Sequence, residues 1–187
     1  MAASSTMLAL GTPLPSFSLP DTTTGALVTS ADLAGSIVVV AFICNHCPYV
    51  LHVQKELVAL GHHCKTHGAK MLAVSSNDVT THPEDGPAHM ADEATRAGYP
   101  FAYLYDESQA VAKAFQAACT PELYVFDAEG KLQYRGRLDD STPKNGRPVT
   151  GRDARDALDA LFLGAKPSSE QHPSIGCSIK WKASKQT

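Results

Sequence analysis

The sequence predicts an α/β fold: a mixed central sheet with helices on both faces, an N-terminal hairpin extension and a C-terminal tail. Three observations carry this. Residues 37–42, Ile-Val-Val-Val-Ala-Phe, are continuously apolar and rich in β-branched side chains, as in a strand covered on both faces. From Pro48 on, Val50, Val53, Leu57 and Leu60 recur at helical spacing. Residues 123–126 and 132–136 read as strands joined by a tight turn over 127–130, and are therefore antiparallel. The resulting order, β-α-β-α-β-α-β-β-α with right-handed crossovers, places helices on both sides of the sheet.

In chain order, residues 4–13 read as a flexible lead-in, and 17–19 and 26–28 as a short hairpin around the turn-rich 21–25. One helical turn at 30–33 leads into the central strand. The helix opened by Pro48 carries Gln54, Lys55 and Glu56 on its polar side; Gly61 weakens it and Gly68 ends it. A strand at 70–75, a polar loop at 77–87, a helix at 90–97 closed by Gly98, and a third strand at 101–105 follow. Asp106 or Ser108 caps a helix bearing Val111, Ala112 and Phe115. After the antiparallel pair, a Pro, Gly and Asn loop at 141–150 leads to a last helix at 153–163. The reading is one domain over 8–165 and a tail over 166–187.

A chain of 187 residues supports one well-buried domain and is short for two. A net charge of −3 gives no basis for a nucleic-acid partner or an anionic membrane surface. Residues 1–10 hold no lysine or arginine and only a brief apolar run, unlike a signal peptide, and no stretch has the length of a membrane span. A cytoplasmic protein is expected. Five cysteines, Cys44, Cys47, Cys64, Cys119 and Cys177, cannot all pair within the chain; catalytic, metal-binding or buried thiols are expected before structural disulfides.

The chemistry concentrates in Cys44-Asn45-His46-Cys47-Pro48, at the junction of central strand and helix. A thiol reacts as its thiolate, and a helix start offers unpaired N–H groups and partial positive charge. Proline is favoured at the first helical position, which makes Cys47 the cap residue. Shifting a thiol from about 8.5 to roughly 6.5 stabilises its anion by about 2.7 kcal/mol. A helix terminus supplies at most about 2 kcal/mol of that, and His46 is placed to supply the rest. Cys47 is thus the nucleophile and Cys44 the resolving thiol. The competing readings are half of a zinc site, for which no second C-x-x-C exists, and two incidental thiols.

Phe42-Ile43-Cys44-Asn45-His46-Cys47-Pro48-Tyr49-Val50, Pro83-Glu84-Asp85, Gly98-Tyr99-Pro100-Phe101, Ala118-Cys119-Thr120-Pro121, Tyr134-Arg135-Gly136 and Ser174-Ile175-Gly176-Cys177 together resemble the thioredoxin superfamily. Within it they are similar to the peroxiredoxin-like group, the redoxin or alkyl hydroperoxide reductase and thiol-specific antioxidant-like proteins. The resemblance implies a thioredoxin-like fold and no cofactor. It also implies a disulfide-containing protein, small thiol or peroxide as substrate, a thioredoxin- or glutathione-type reductant, and a monomer or homodimer. Thr120-Pro121 is similar to the superfamily's cis-proline, which faces the reactive thiols and lets the preceding backbone pair with a substrate chain. Counted from Phe42, the first thioredoxin cysteine corresponds to Cys47, again the nucleophile. The activating threonine of true peroxiredoxins is replaced by Cys44, and the thioredoxin-type buried acid on the central strand is absent; His46 is the nearest proton carrier.

If Pro121 faces the motif, Cys119 is near it and is a second possible resolving thiol or soft metal ligand; Cys177, in an alternating segment able to dock as an edge strand, is a third. His62, His63, Cys64 and His67 look like a metal cluster but occupy a helix end that favours cations. Glu84, Asp85, Asp139 and Asp140 read as solvated loop carboxylates, and Tyr99, Phe101, Tyr103 and Tyr105 as packing. The expected function is thiol–disulfide exchange; the alternatives are a thiol peroxidase and a non-catalytic metal-binding or interaction module.

Overall fold

The computed structural model describes residues 2–183. Its strands are β1 (Ala2–Ser4), β2 (Ser18–Pro20), β3 (Leu27–Thr29), β4 (Val38–Phe42), β5 (Lys70–Ser75), β6 (Ala102–Tyr105), β7 (Cys119–Thr120), β8 (Glu122–Phe126), β9 (Leu132–Gly136) and β10 (Ile175–Ser178). The helices are α1 (Pro48–Thr66), α2 (Pro87–Ala97), α3 (Ala110–Ala114) and α4 (Arg152–Phe162). Five strands form the main sheet in the order β6-β5-β4-β8-β9. β4 runs parallel to β5 and antiparallel to β8, and β9 returns antiparallel beside β8.

The apolar run made β4 the middle strand because both its faces are covered. Val39 and Ala41 point into a core with Val50, Val53, Leu57 and Leu60 of α1, Met90 and Ala94 of α2, and Ala154, Ala157 and Leu158 of α4. Val38, Val40 and Phe42 point the other way, onto Val111 and Ala112 of α3, Phe115, and Phe17, Leu19 and Leu33 of the N-terminal segment. Phe42, Phe115 and Tyr124 meet edge to face at 5.2 to 5.8 Å between ring centroids. Such aromatic pairs are worth about 1 kcal/mol each beyond their buried area.

Several elements differ from the sequence reading. The lead-in is not loose: β1 pairs with β10, Leu8 is buried, and Arg135 Nε donates to Leu8 O at 2.9 Å. The tail is not peripheral either. β10 lies between β1 and β7 in a second, three-stranded antiparallel sheet, so it is an interior strand rather than an edge; residues 184–187 of the tail lie outside the described residues. The polar loop at 77–87 is partly buried, with Asn77, Asp78 and Asp85 withdrawn from solvent and α2 already begun at Pro87. α3 is capped by Gln109 at a φ of 62° instead of Asp106 or Ser108. Those two reach the same helix start from outside it: Asp106 Oδ2 accepts from Ala112 N at 2.9 Å and Ser108 Oγ from Ala110 N at 3.2 Å.

Gly61 sits in the interior of α1 and is a point of close approach. A Cβ there would stand 2.6 Å from Phe101 Cδ1 and 2.7 Å from Pro100 Cγ. Gly61→Ala raises helix propensity by about 1 kcal/mol but overpacks this contact at a cost of roughly 1–3 kcal/mol. A net loss of stability is expected in urea unfolding; a net gain would mean that the Pro100–Phe101 turn moves freely.

Candidate active site

Cys47 is the N-cap of α1 and Pro48 its first residue, as the sequence implied. Cys47 has 0% of its surface exposed and Cys44 1%, so both thiols lie beneath the surface. Two register rules place their neighbours. Phe42 of β4 pairs with Glu122 of β8, so two residues past the strand end Cys44 faces Thr120, and its sulfur is 3.4 Å from Thr120 Oγ1. Thr120 in turn pairs with Cys177 of β10. The peptide bond from Thr120 to Pro121 is cis.

The two thiols are driven apart in acidity. Hydrogen bonding with the Cys44 thiol is the largest cause lowering Cys47 to well below the ordinary thiol range. Burial opposes the shift, while Thr120, the Cys177 thiol and the backbone of Val50 assist it. The same hydrogen bond, followed by burial and the negative charge of Asp85, pushes Cys44 far up. As a thiol, Cys47 donates to Thr120 O at 3.2 Å and makes no cap hydrogen bond. Ionisation removes that donation and turns the sulfur into an acceptor; the opposite shifts of the two thiols mean that Cys47 ionises before Cys44.

His46 is turned toward a carboxylate that the sequence reading left in solvent. Asp85 has 0% exposure, accepts from Asn45 N and Asn77 Nδ2, both at 2.8 Å, and lies 2.7 Å from His46 Nδ1. The approach to His46 is close enough for ion pairing but lacks hydrogen-bond alignment. Glu84 stands 3.6 Å from the same nitrogen, and the His82 ring stacks on His46 at 5.0 Å. His46 is not among the groups that lower Cys47; the expected contribution from its charge is replaced by Cys44, Thr120, Cys177 and Val50. Among the described residues, donor atoms of Cys44, His46 and Asp85 all lie within 4.8 Å of one another, a cluster that could hold a metal ion. By contrast His63 pairs with Asp159 at 2.7 Å and His67 stacks on Phe162, while Cys64 is a buried thiol raised to about 12 by desolvation.

Cys119 is buried but faces Glu122, its sulfur 3.8 Å from Oε2, and burial and that carboxylate push it up. Cys177 is partly exposed and opposes Thr120, whose carbonyl accepts from Cys47, and the Cys177 thiol is among the groups that lower Cys47. Of the two additional thiols considered, the structure brings Cys177 to Cys47. Asp139 is also buried, accepting from the backbone of Ser141, Thr150 and Gly151 to shape the loop before α4. A cavity of about 440 Å³ opens beside Pro121, lined by Tyr49, Arg137, Arg147 and Ile175 among others. Among the described residues no helix is long and apolar enough to cross a membrane.

Asp85 was legible only as part of a Pro-Glu-Asp motif; nothing in its neighbours marks it as buried. Asp85→Asn is expected to cost about 1–3 kcal/mol in thermal unfolding, because it leaves buried donors with a weaker acceptor. It is also expected to lower the Cys44 pKa by removing a nearby negative charge. Unchanged stability together with an unchanged Cys44 titration would contradict this role.

Comparison with known proteins places this geometry in a family. Residues 10–135 match the AhpC/TSA family. The chain is similar to an uncharacterized conserved protein from Geobacillus kaustophilus, with 51% identity over 98% of each chain and a TM-score of 0.96. It is also similar to a hypothetical protein from Sinorhizobium meliloti, with 41% identity over 96% of this chain and 98% of that one, and a TM-score of 0.93. A secreted Mycobacterium tuberculosis disulfide oxidoreductase shares the fold alone, at 14% identity over 79% of this chain and 95% of that one, with a TM-score of 0.56. A search of curated proteins finds no match. The paired thiols at the strand-to-helix junction, the thioredoxin-like fold around them and the matched span together support a thioredoxin-like redox function, and the chain belongs to the AhpC/TSA family.

Proposed function

We propose that the protein is a thiol–disulfide oxidoreductase in which Cys47 attacks a substrate disulfide and Cys44 resolves the mixed disulfide. The observation that carries this is the convergence of the two buried sulfurs on Thr120, Cys44 Sγ 3.4 Å from its Oγ1 and Cys47 Sγ 3.2 Å from its carbonyl oxygen, with Cys47 lowered and Cys44 raised. Once Cys47 is bonded to substrate it bears no charge, so the largest influence retaining the Cys44 proton disappears and Cys44 becomes able to attack. His46, partly exposed and beside Asp85, is the group placed to pass that proton to solvent. No cofactor is required. The reductant is of thioredoxin or glutathione type, and free thiols suit a reducing, cytoplasmic setting. Cys119 has no part in the exchange, since its sulfur is directed at Glu122.

Hydroperoxide reduction is the second reading, favoured by the family match. Against it, Cys44 stands where a peroxiredoxin carries its activating threonine.

Reduction of a model disulfide is expected to fall by about 10³-fold or more in Cys47→Ser, and Cys44→Ala is expected to stop at a disulfide of Cys47 that Cys44 would otherwise resolve. Retained turnover in Cys47→Ser sinks the proposal; faster oxidation of Cys47 by hydrogen peroxide than by oxidised glutathione transfers it to the peroxidase reading.

The pH dependence has a definite sign. Cys47 is lowered, so its ultraviolet thiolate absorbance should persist as pH falls below neutrality and vanish only near the depressed value. Cys44→Ala removes the principal donor and should move that midpoint upward; no movement would disprove the Cys44 contribution. Ionisation of Cys47 favours the folded reduced protein, fully above the ordinary thiol pKa of about 8.5 and decreasingly as pH falls toward the folded value. The raised Cys44 acts in the opposite sense only above about 8.5.

A further inference from the structure

Resting on the reading of Cys44 and Cys47 given above, we propose that Cys177 is a relay thiol: β10 holds it between solvent and Cys47, and low-molecular-weight disulfides exchange with the buried pair through it.

Accessibility is the first argument. Cys47 and Cys44 are 0% and 1% exposed, whereas Cys177 is partly open. A disulfide exchanges by direct contact of sulfurs in line, so a molecule arriving at the closed structure meets Cys177 first. Placement is the second argument. Cys177 pairs with Thr120, whose carbonyl accepts from Cys47 at 3.2 Å and whose hydroxyl stands 3.4 Å from the Cys44 sulfur, and Cys177 packs on the cluster that holds both, so the three thiols gather around one residue from surface to interior.

The seat of β10 is built for close approach. A Cβ on Gly176 would stand 2.0 Å from Thr120 O, so only glycine lets the strand settle against β7 at this register. The strand is fastened on both sides of Cys177: Ser5 N donates to Ser174 O at 3.0 Å and Ile179 N to Ala118 O at 3.1 Å. Ile175, on the same face of the strand as Cys177, borders the cavity beside Pro121, where the departing half of a small disulfide has room.

The exchange balances in three steps. Cys177, having lost its proton to solvent, attacks a small disulfide RSSR; the Cys177–SR bond forms and RS⁻ leaves. The Cys47 anion then attacks the Cys177 sulfur, forming Cys47–Cys177 and releasing the second RS⁻. Cys44 gives up its proton and attacks Cys47, forming Cys44–Cys47, and Cys177 leaves as a thiolate that takes up a proton. Two protein thiols are oxidised and RSSR is reduced to two RSH. In the reverse direction the low basicity of Cys47 makes it a good leaving group when Cys177 is attacked.

The test uses the full-length reduced protein with oxidised glutathione as the probe, acid-quenched and mapped by mass spectrometry, for wild type, Cys177→Ser, Gly176→Ala and Cys44→Ala. Wild type should form Cys44–Cys47. Cys177→Ser should form the same bridge about tenfold or more slowly, as should Gly176→Ala, since a sulfur held in place reacts far faster than one that must diffuse. Cys44→Ala should accumulate an intramolecular Cys47–Cys177 bridge. Wild-type rates in Cys177→Ser, or glutathione attached to Cys47 in Cys44→Ala with Cys177 left free, would overturn the relay while leaving the oxidoreductase reading standing. Should Cys47 stay unmodified in every variant, the oxidoreductase reading itself fails.

Discussion

An anionic sulfur with no exposed surface is unfavourable unless protein donors replace the water it has lost, and at Cys47 they arrive from four separate segments. Cys44 donates from the loop after β4, Val50 contributes backbone from the first turn of α1, Thr120 lies at the end of β7, and Cys177 comes from β10. None of these segments is near another in sequence except the first two. The candidate site is therefore a property of the assembled fold, with β10 seated on β7 and both brought to the start of α1. Burial works against the anion and the donors outweigh it.

The sheet explains why those segments meet. β4 is sealed on both faces, so its end is fixed in depth, and the chain leaving it enters α1 directly. The antiparallel return of β8 delivers Thr120 opposite Cys44, and β10 adds a further register step that sets Cys177 opposite Thr120. A slip of one residue in the β4–β8 pairing would send alternate side chains to the wrong face of the sheet and so is excluded by both cores. Packing that has no redox function thus dictates the spacing of three sulfurs.

Much of this was legible in the chain. The unbroken apolar run of β4, the helical spacing after Pro48 and the cap position of Cys47 follow from local rules, and those rules were obeyed because nothing distant opposes them. What sequence reading missed depends on partners far away. Asp85 looks like a loop acid until Asn45 and Asn77 converge on it. Ala2–Ser4 is too short to announce itself as a strand and becomes one by pairing with Ile175–Ser178, whose alternation marks an edge strand although it lies between two others. Gly61 reads as a defect in a helix because the residue that requires it, Phe101, is forty positions on. Adjacency in sequence pairs His46 with Cys47, whereas its ring lies against Asp85, because neighbouring residues at a helix start point in different directions.

The carboxylate network and the C-terminal strand are one system. Asn77 donates to Asp85 through Nδ2 at 2.8 Å and accepts from Lys180 N through Oδ1 at 2.8 Å. Lys180 O in turn accepts from Asp78 N at 2.8 Å and from Gln109 Nε2 at 2.8 Å. The segment following Cys177 is consequently anchored to the same amide that orients the partner of His46. Detaching it would leave the buried Asn77 oxygen without its donor, a loss of about 1–3 kcal/mol for a group withdrawn from solvent. The strand therefore stays seated without any covalent link to Cys47, and the position of a surface-facing thiol is tied to the polar groups behind the buried pair.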